Sequence, residues 1–167
     1  SEFDGGDAFL SVFDTSGNPL WAVRLGGIDN DAGNSVIANS EYVYLAGQVE
    51  GDADLSGDGD YLDGGESDPG YLDDIIISAF TVDGTYVWSK RFGGPGNEPF
   101  SISLDDSDDA LYVSGAVIGR ADLDGDGAST TDAEIGGAGF GNNDIFLSAF
   151  DAASGDSLYA MRLGSTY

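Results

Sequence analysis

The apolar residues of this chain fall in short runs separated by turns rich in Gly, Asp, Asn and Ser, and the runs recur. Asp7-Ala-Phe-Leu-Ser-Val-Phe13 returns 67 residues later as Asp74-Ile-Ile-Ile-Ser-Ala-Phe80, and 70 residues after that as Asp144-Ile-Phe-Leu-Ser-Ala-Phe150. Each copy is followed by an aromatic-led run: Trp21-Ala-Val-Arg-Leu-Gly26, Trp88-Ser-Lys-Arg-Phe-Gly93 and Tyr159-Ala-Met-Arg-Leu-Gly164. The runs are rich in Val, Ile, Phe, Tyr and Trp, and helical periodicity never extends beyond about two turns, so the pattern predicts an all-β chain built on a repeat.

One repeat reads as four strands. Strand A is Ser35-Val-Ile-Ala38, matched by Ser101-Ile-Ser-Leu104; strand B is Tyr42-Val-Tyr-Leu-Ala-Gly-Gln-Val49, matched by Leu111-Tyr-Val-Ser-Gly-Ala-Val117. Strand C is the Asp-led run and strand D the aromatic-led run. Hairpin turns at Ser16-Gly17-Asn18, Asp83-Gly84 and Ser154-Gly155-Asp156 join C to D and supply the positive φ that tight turns need. Strand C is apolar on both faces, which predicts burial on both sides. Radially packed four-stranded β-propeller blades satisfy that requirement. The expected organisation is about two and a half repeats: a partial blade over 1–34, a blade over 35–100 with an insert near 52–73, and a blade over 101–167 with an insert near 120–143. Three C–D hairpins against two A–B pairs leave a ring unbalanced, and an open first hairpin is an exposed sheet edge. The expectation is therefore a window of a longer repeat chain, with a capped array stacking into a fibre as the alternative.

The succession of strand, Asp-Gly turn, Trp-led strand, Gly-Gly, Asn-Asp or Asn-Glu, then Tyr-Val resembles the bacterial β-propeller repeats called SBBP repeats. The resemblance covers the chain apart from the B-to-C connections. It implies a propeller fold and an extracellular or cell-surface module of a larger chain, and it implies no activity. The long Asp-rich B-to-C inserts depart from it.

Composition narrows the function classes. The chain carries 31 Asp plus Glu against 5 Lys plus Arg, a formal charge of −26. That field repels nucleic acid and anionic lipid and attracts cations. Neither Cys nor His is present, which removes thiol catalysis, disulfides, Cys/His zinc sites and the usual neutral-pH base. No apolar run is long enough to insert in a membrane as a helix.

The inserts carry the strongest candidate chemistry. Ala53-Asp54-Leu55-Ser56-Gly57-Asp58-Gly59-Asp60 aligns with Ala121-Asp122-Leu123-Asp124-Gly125-Asp126-Gly127-Ala128. Both resemble the D-x-D-x-D-G calcium loops of EF-hands, dockerins and FG-GAP propellers. Oxygens at positions 1, 3 and 5 of such a loop converge, Gly at position 6 permits the turn, and position 7 offers a carbonyl, here from Asp60 or Ala128. The expected divalent-ion ligands are Asp54, Ser56, Asp58 and Asp60, and Asp122, Asp124, Asp126, Ala128, Asp132 and Glu134, with Asp63, Glu66 and Asp68 as further candidates. The metal expected is Ca2+, since the donors are oxygens. The EF-hand position 12 is Gly65 or Ala133, so only the loop carries over.

Three other features compete for a role. Arg24, Arg91 and Arg162 recur on strand D and are expected to pair with Asp7, Asp74 and Asp144 as architecture, an anionic ligand site being the other reading. Asn30-Asp31 and Asn97-Glu98, with Asp29, are expected to form turns and caps rather than ligate metal. Gly136-Gly-Ala-Gly-Phe-Gly141 lacks the context of a phosphate loop and reads as loop. The function expected is a non-catalytic, calcium-stabilised, extracellular structural or adhesive module of a cell-surface or filament-forming protein. Its partners would be other blades of the same or a neighbouring chain, with glycans or surface proteins, and no nucleic acid. The alternatives are a calcium-dependent carbohydrate-binding module using Tyr61, Tyr71 and Phe140, and a fragment of a propeller enzyme.

Overall fold

The computed structural model describes residues 5–61, 66–67, 74–94, 98–105, 107–129, 131, 134 and 143–164. Within them the chain is all-β and antiparallel. The strands are β1 Ala8–Phe13, β2 Pro19–Gly27, β3 Ala32–Ala38, β4 Tyr42–Val49, β5 Ala53–Asp54, β6 Asp74–Thr81, β7 Tyr86–Gly93, β8 Glu98–Leu104, β9 Ala110–Val117, β10 Asp144–Asp151 and β11 Ser157–Leu163. They form a three-stranded sheet ordered β1-β2-β5 and two four-stranded sheets, β3-β4-β6-β7 and β8-β9-β10-β11. Among the described residues the sheets close into neither a barrel nor a propeller.

Each four-stranded sheet is an up-and-down meander, because every strand hands over to the next through a turn or through the insert between B and C. The hairpin glycines Gly17, Gly84 and Gly155 take φ of 83°, 91° and 74°, the left-handed values that their positions predict. Strand A is longer than its apolar residues indicate. β3 begins at Ala32, opposite Gln48, and β8 at Glu98, opposite Ala116. Backbone pairing there starts in residues with little β propensity, Gly33 and Asn34 in β3 and Glu98 and Pro99 in β8.

Two cores separate the three sheets. Ala8, Leu10 and Leu25 of the first sheet pack on Val43, Leu45 and Phe80 of the second. Tyr44, Ile75, Ile77, Ala79, Trp88 and Phe92 of the second pack on Ile102, Val113, Phe146 and Phe150 of the third. The leading aromatic of strand D bridges each junction. The Trp21 indole N–H donates to the Val82 carbonyl at 2.9 Å, and the Trp88 indole N–H donates to the Ala152 carbonyl at 3.2 Å. Each accepting carbonyl lies in the next C–D turn, so one contact is built twice from one repeated residue.

Strand C meets its expectation unevenly. β6 is buried from Asp74 to Phe80. In β1, by contrast, Phe9 and Phe13 are 70% and 57% exposed, and Ile145 of β10 is exposed as well. The cause is position in the array. β6 has a sheet on either side, whereas β1 and β10 belong to the outer sheets.

Candidate metal centre

Each Asp-Gly insert turns back from the end of strand B toward the sheet before its own. Asp54 pairs with Gly26 and Ala53 with Gly27, making the short β5 ladder at the end of β2. Asp122 pairs with Gly93 at the end of β7: Gly93 N–H donates to the Asp122 carbonyl at 2.6 Å and Asp122 N–H to the Gly93 carbonyl at 2.7 Å. The loops are thus backbone stitches between successive sheets.

A buried leucine and a buried serine seat each stitch on its own sheet. Leu55 and Leu123 are fully buried, Leu55 with Val49, Ala53 and Ile76, and Leu123 in the larger core with Phe146. The hydroxyl of Ser78 on β6 donates to the Leu55 carbonyl at 2.9 Å, and that of Ser148 on β10 to the Leu123 carbonyl at 2.5 Å. Sequence reasoning passed over both pairs. The signal was present, since the serine recurs four residues after the Asp of every Asp-led run and the leucine follows the first Asp of both loops.

The first Asp organises the turn. Asp54 Oδ1 accepts from the N–H of Ser56 (3.1 Å) and Gly57 (2.5 Å), and Oδ2 from Gly59 (2.8 Å). Asp122 accepts from Gly125 (2.7 Å) and Gly127 (2.9 Å) in the same way. Later members repeat the device: Asp60 N–H donates to Asp58 Oδ1, and Ala128 N–H to Asp126 Oδ1, both at 2.8 Å. Glycine is needed at position 4 as well as at position 6. Gly57 and Gly125 take φ of 79° and 71°, and a Cβ there would overlap Val23 on β2 or Lys90 on β7.

Glu66 and Glu134 close the loops. Glu66 Oε1 accepts from Leu55 N–H (2.8 Å) and Ser56 N–H (3.0 Å), and Ala53 N–H donates to the Glu66 carbonyl (3.2 Å). Glu134 accepts from Leu123 N–H (3.1 Å) and Thr131 N–H (2.8 Å), and its carbonyl takes Ala121 N–H (3.1 Å). Both glutamates are buried.

The second loop gathers carboxylates. Asp122, Asp124 and Asp126 each present an oxygen within 4.8 Å of the others, and the group can hold a metal ion. Asp122 is buried, Asp124 half-buried and Asp126 exposed, so the cluster opens from the protein toward solvent. Burial pushes the Asp122 carboxyl up to about 6, against the hydrogen bonds from Gly127 and Gly125, and the charges of Asp124 and Glu134 add to the rise. Asp124 is also raised, first by burial and then by Glu134, with Lys90 opposing. In the first loop Ser56 stands where Asp124 stands in the second, so one carboxylate is replaced by a hydroxyl. Asp63, Asp68 and Asp132 lie outside the described residues, as do Asn97, Tyr71, Phe140 and the run Gly136 to Gly141.

The repeated arginines pair as their spacing predicts. Arg91 Nε donates to Asp74 at 2.7 Å, Arg162 donates to Asp144 through Nε (2.9 Å) and Nη2 (2.7 Å), and Arg24 pairs with Asp7. They also brace the inserts: Arg91 Nη1 donates to the Glu66 carbonyl at 2.9 Å, and Arg162 Nη1 to the Gly119 carbonyl. This is architecture, as the repetition implied.

Asp31 has the capping role expected of it and a wider one. Its two oxygens accept from Gly27 N–H at 2.6 Å and Glu50 N–H at 3.1 Å, tying the end of β2 to the end of β4. Burial pushes its carboxyl up to about 6, hydrogen bonds from Gly27 and Glu50 oppose this, and Asp7 and Asp29 add repulsion.

No helix among the described residues is long and apolar enough to cross a membrane. A scan against protein-family models finds no match for the chain, and a search of curated proteins finds none.

Proposed function

We propose that this chain is a non-catalytic repeat module whose successive sheets are locked together by Ca2+ bound in the two Asp-Gly loops. The observation that carries the reading is where those loops sit. Each pairs its first Asp, through the backbone, with the last strand of the preceding sheet. An ion held by the loop would therefore stabilise a junction between repeats as well as the loop itself. Acidic groups crowd the second loop: burial and neighbouring negative charge both raise Asp122 and Asp124, and a dication would remove that cost. The oxygen-only donor set favours Ca2+ over softer transition metals.

In this reading the sheets are β-propeller-type blades, in keeping with the resemblance to SBBP repeats. The module serves a structural or adhesive purpose on a cell surface or in a filament, where calcium is abundant. Its partners are further blades and surface ligands. The absence of His and Cys and the use of the recurring polar residues as braces favour a non-catalytic role.

The test is thermal unfolding with calcium and with chelator at fixed ionic strength. At a free calcium of about 100 Kd, one site adds about 2.7 kcal/mol of stability. Asp126→Asn and Asp58→Asn are expected to weaken calcium binding in calorimetry. Loop two is expected to bind tighter than loop one, because Ser56 replaces a carboxylate. Equal melting with calcium and chelator would overturn the proposal.

A further inference from the structure

Basic residues are scarce enough in this chain for each position to carry meaning. Of the 5, Arg24, Arg91 and Arg162 recur at one place in the repeat and pair with Asp7, Asp74 and Asp144. The other two, Lys90 and Arg120, are not repeated, and both serve loop two. Lys90 stands on β7 where β2 has Val23, and Arg120 precedes Ala121 where Asp52 precedes Ala53. Arg120 donates along the loop to the Ser129 carbonyl through Nε (3.1 Å) and Nη2 (2.6 Å). Lys90 reaches the loop from the preceding sheet. Its stem lies against Gly125, where a Cβ would sit 2.5 Å from the lysine Cδ, and its Nζ is 3.4 Å from the Gly125 carbonyl. Loop two also has Asp124 where loop one has Ser56, so the extra carboxylate and the extra cation occur together. Burial and Glu134 raise the Asp124 carboxyl, and Lys90 is the cation that opposes them.

We propose that Lys90 is a tethered counter-ion of loop two, which steadies the loop when no ion is bound and competes with a dication for it. The competition rests on the calcium reading above, whereas the counter-ion role does not. A lysine ammonium is a compact point charge on a flexible stem, so it can turn out to solvent without moving the backbone. In the absence of an ion it offsets part of the repulsion among Asp122, Asp124 and Asp126, and it does so from across the junction. When a dication enters, the same charge repels it, and loop two loses calcium affinity. Val23 can do neither at loop one. Loop two keeps the tighter hold through Asp124, and Lys90 narrows that lead. The second junction therefore changes less between calcium-poor and calcium-rich solution than its carboxylates alone would dictate.

The test uses the whole protein with Lys90→Met, Asp124→Ser and the two combined. Methionine keeps a stem on Gly125 and removes the charge. Thermal unfolding is followed in chelator, and calcium binding by calorimetry in an Asp58→Asn background, so that loop two dominates the signal. In chelator, Lys90→Met is expected to lower the midpoint by about 1–3 °C, and by clearly less when Asp124 is already Ser. In calcium, Lys90→Met is expected to tighten binding about three- to tenfold, the gain shrinking as salt rises. Lys90→Arg, which keeps the charge, is expected to stay near the parent in both measurements. Opposite signs separate a counter-ion from a packing residue, whose loss would weaken both. Lys90→Met weakening both, changing neither, or costing the same in chelator with and without Asp124 would overturn the proposal. If no variant takes up calcium, the calcium reading falls, and the coupling of Lys90 to Asp124 in chelator alone decides for or against the counter-ion.

Discussion

Replacing Leu123 with Ala tests whether the inserts are structural stitches or solvated turns. Leu123 is fully buried within the core shared by the second and third sheets, and its carbonyl is held by Ser148. The substitution removes the buried branched end of the side chain and opens a cavity, for which about 2–5 kcal/mol is the usual cost. For 167 residues the unfolding entropy near the midpoint is about 0.35 kcal/mol/K, so a loss of about 3 kcal/mol lowers the midpoint by about 9 °C. Leu55→Ala is expected to behave similarly, with a smaller loss because its cluster is smaller. The assay is urea and thermal unfolding followed by tryptophan fluorescence, since Trp88 spans the junction that Leu123 helps to fill. The measurement belongs in chelator, so that lost packing is not mixed with lost ion binding. A cost below about 0.5 kcal/mol, the range of an ordinary surface substitution, would refute the docking of the loop.

Two further outcomes follow from the buried charges. Arg162→Met is expected to cost about 3–5 kcal/mol in denaturant unfolding, since it strands the buried Asp144 carboxylate. Arg24→Met is expected to cost at most about 1 kcal/mol, because that arginine side chain is 51% exposed, against 1% for Arg162. For pH, the Asp31 carboxyl is raised to about 6 from an ordinary 3.8, so the folded state holds a proton that the unfolded chain releases between those values. Its contribution to stability is therefore greatest below about pH 4 and is lost as pH rises through 6, by an amount on the order of 2–3 kcal/mol. Unfolding in chelator across that window is expected to show Asp31→Asn with the shallower slope, and an unchanged slope would refute the assignment.

Repetition made most of the fold legible. The Asp-led and aromatic-led runs located β1, β6 and β10 and β2, β7 and β11, and the arginine spacing anticipated all three ion pairs. Residues that act through the backbone were harder to see. The pairing of Asp54 with Gly26 and of Asp122 with Gly93 joins residues about thirty positions apart through main-chain groups, which every residue type carries. Gly57 and Gly125 looked like turn residues, yet their glycine identity also answers to Val23 and Lys90 pressing from the preceding sheet. The exposure of Phe9 and Phe13 was hidden for the opposite reason. Their run matches its copies in sequence, and their exposure follows from what packs on β1 among the described residues, which sequence likeness does not encode.

Charge and packing meet at the second loop. The backbone of Asp122 is committed to Gly93 of the neighbouring sheet, while its carboxylate is committed to Gly125 and Gly127 within the loop. Neither commitment neutralises it. Lys90 approaches the loop, with Nζ 3.4 Å from the Gly125 carbonyl, and eases Asp124, and Arg120 spans the loop to the Ser129 carbonyl, against the negative charges of Asp122, Asp124, Asp126 and the buried Glu134. The seating of Leu123 and Ser148, the Asp122–Gly93 pair and the Glu134 hydrogen bonds therefore hold the loop against the repulsion they help to bury. A bound dication would turn that repulsion into attraction without moving the backbone. Its binding energy would pass directly to the joint between sheets, since the residue that anchors the cluster is also the residue that makes the stitch.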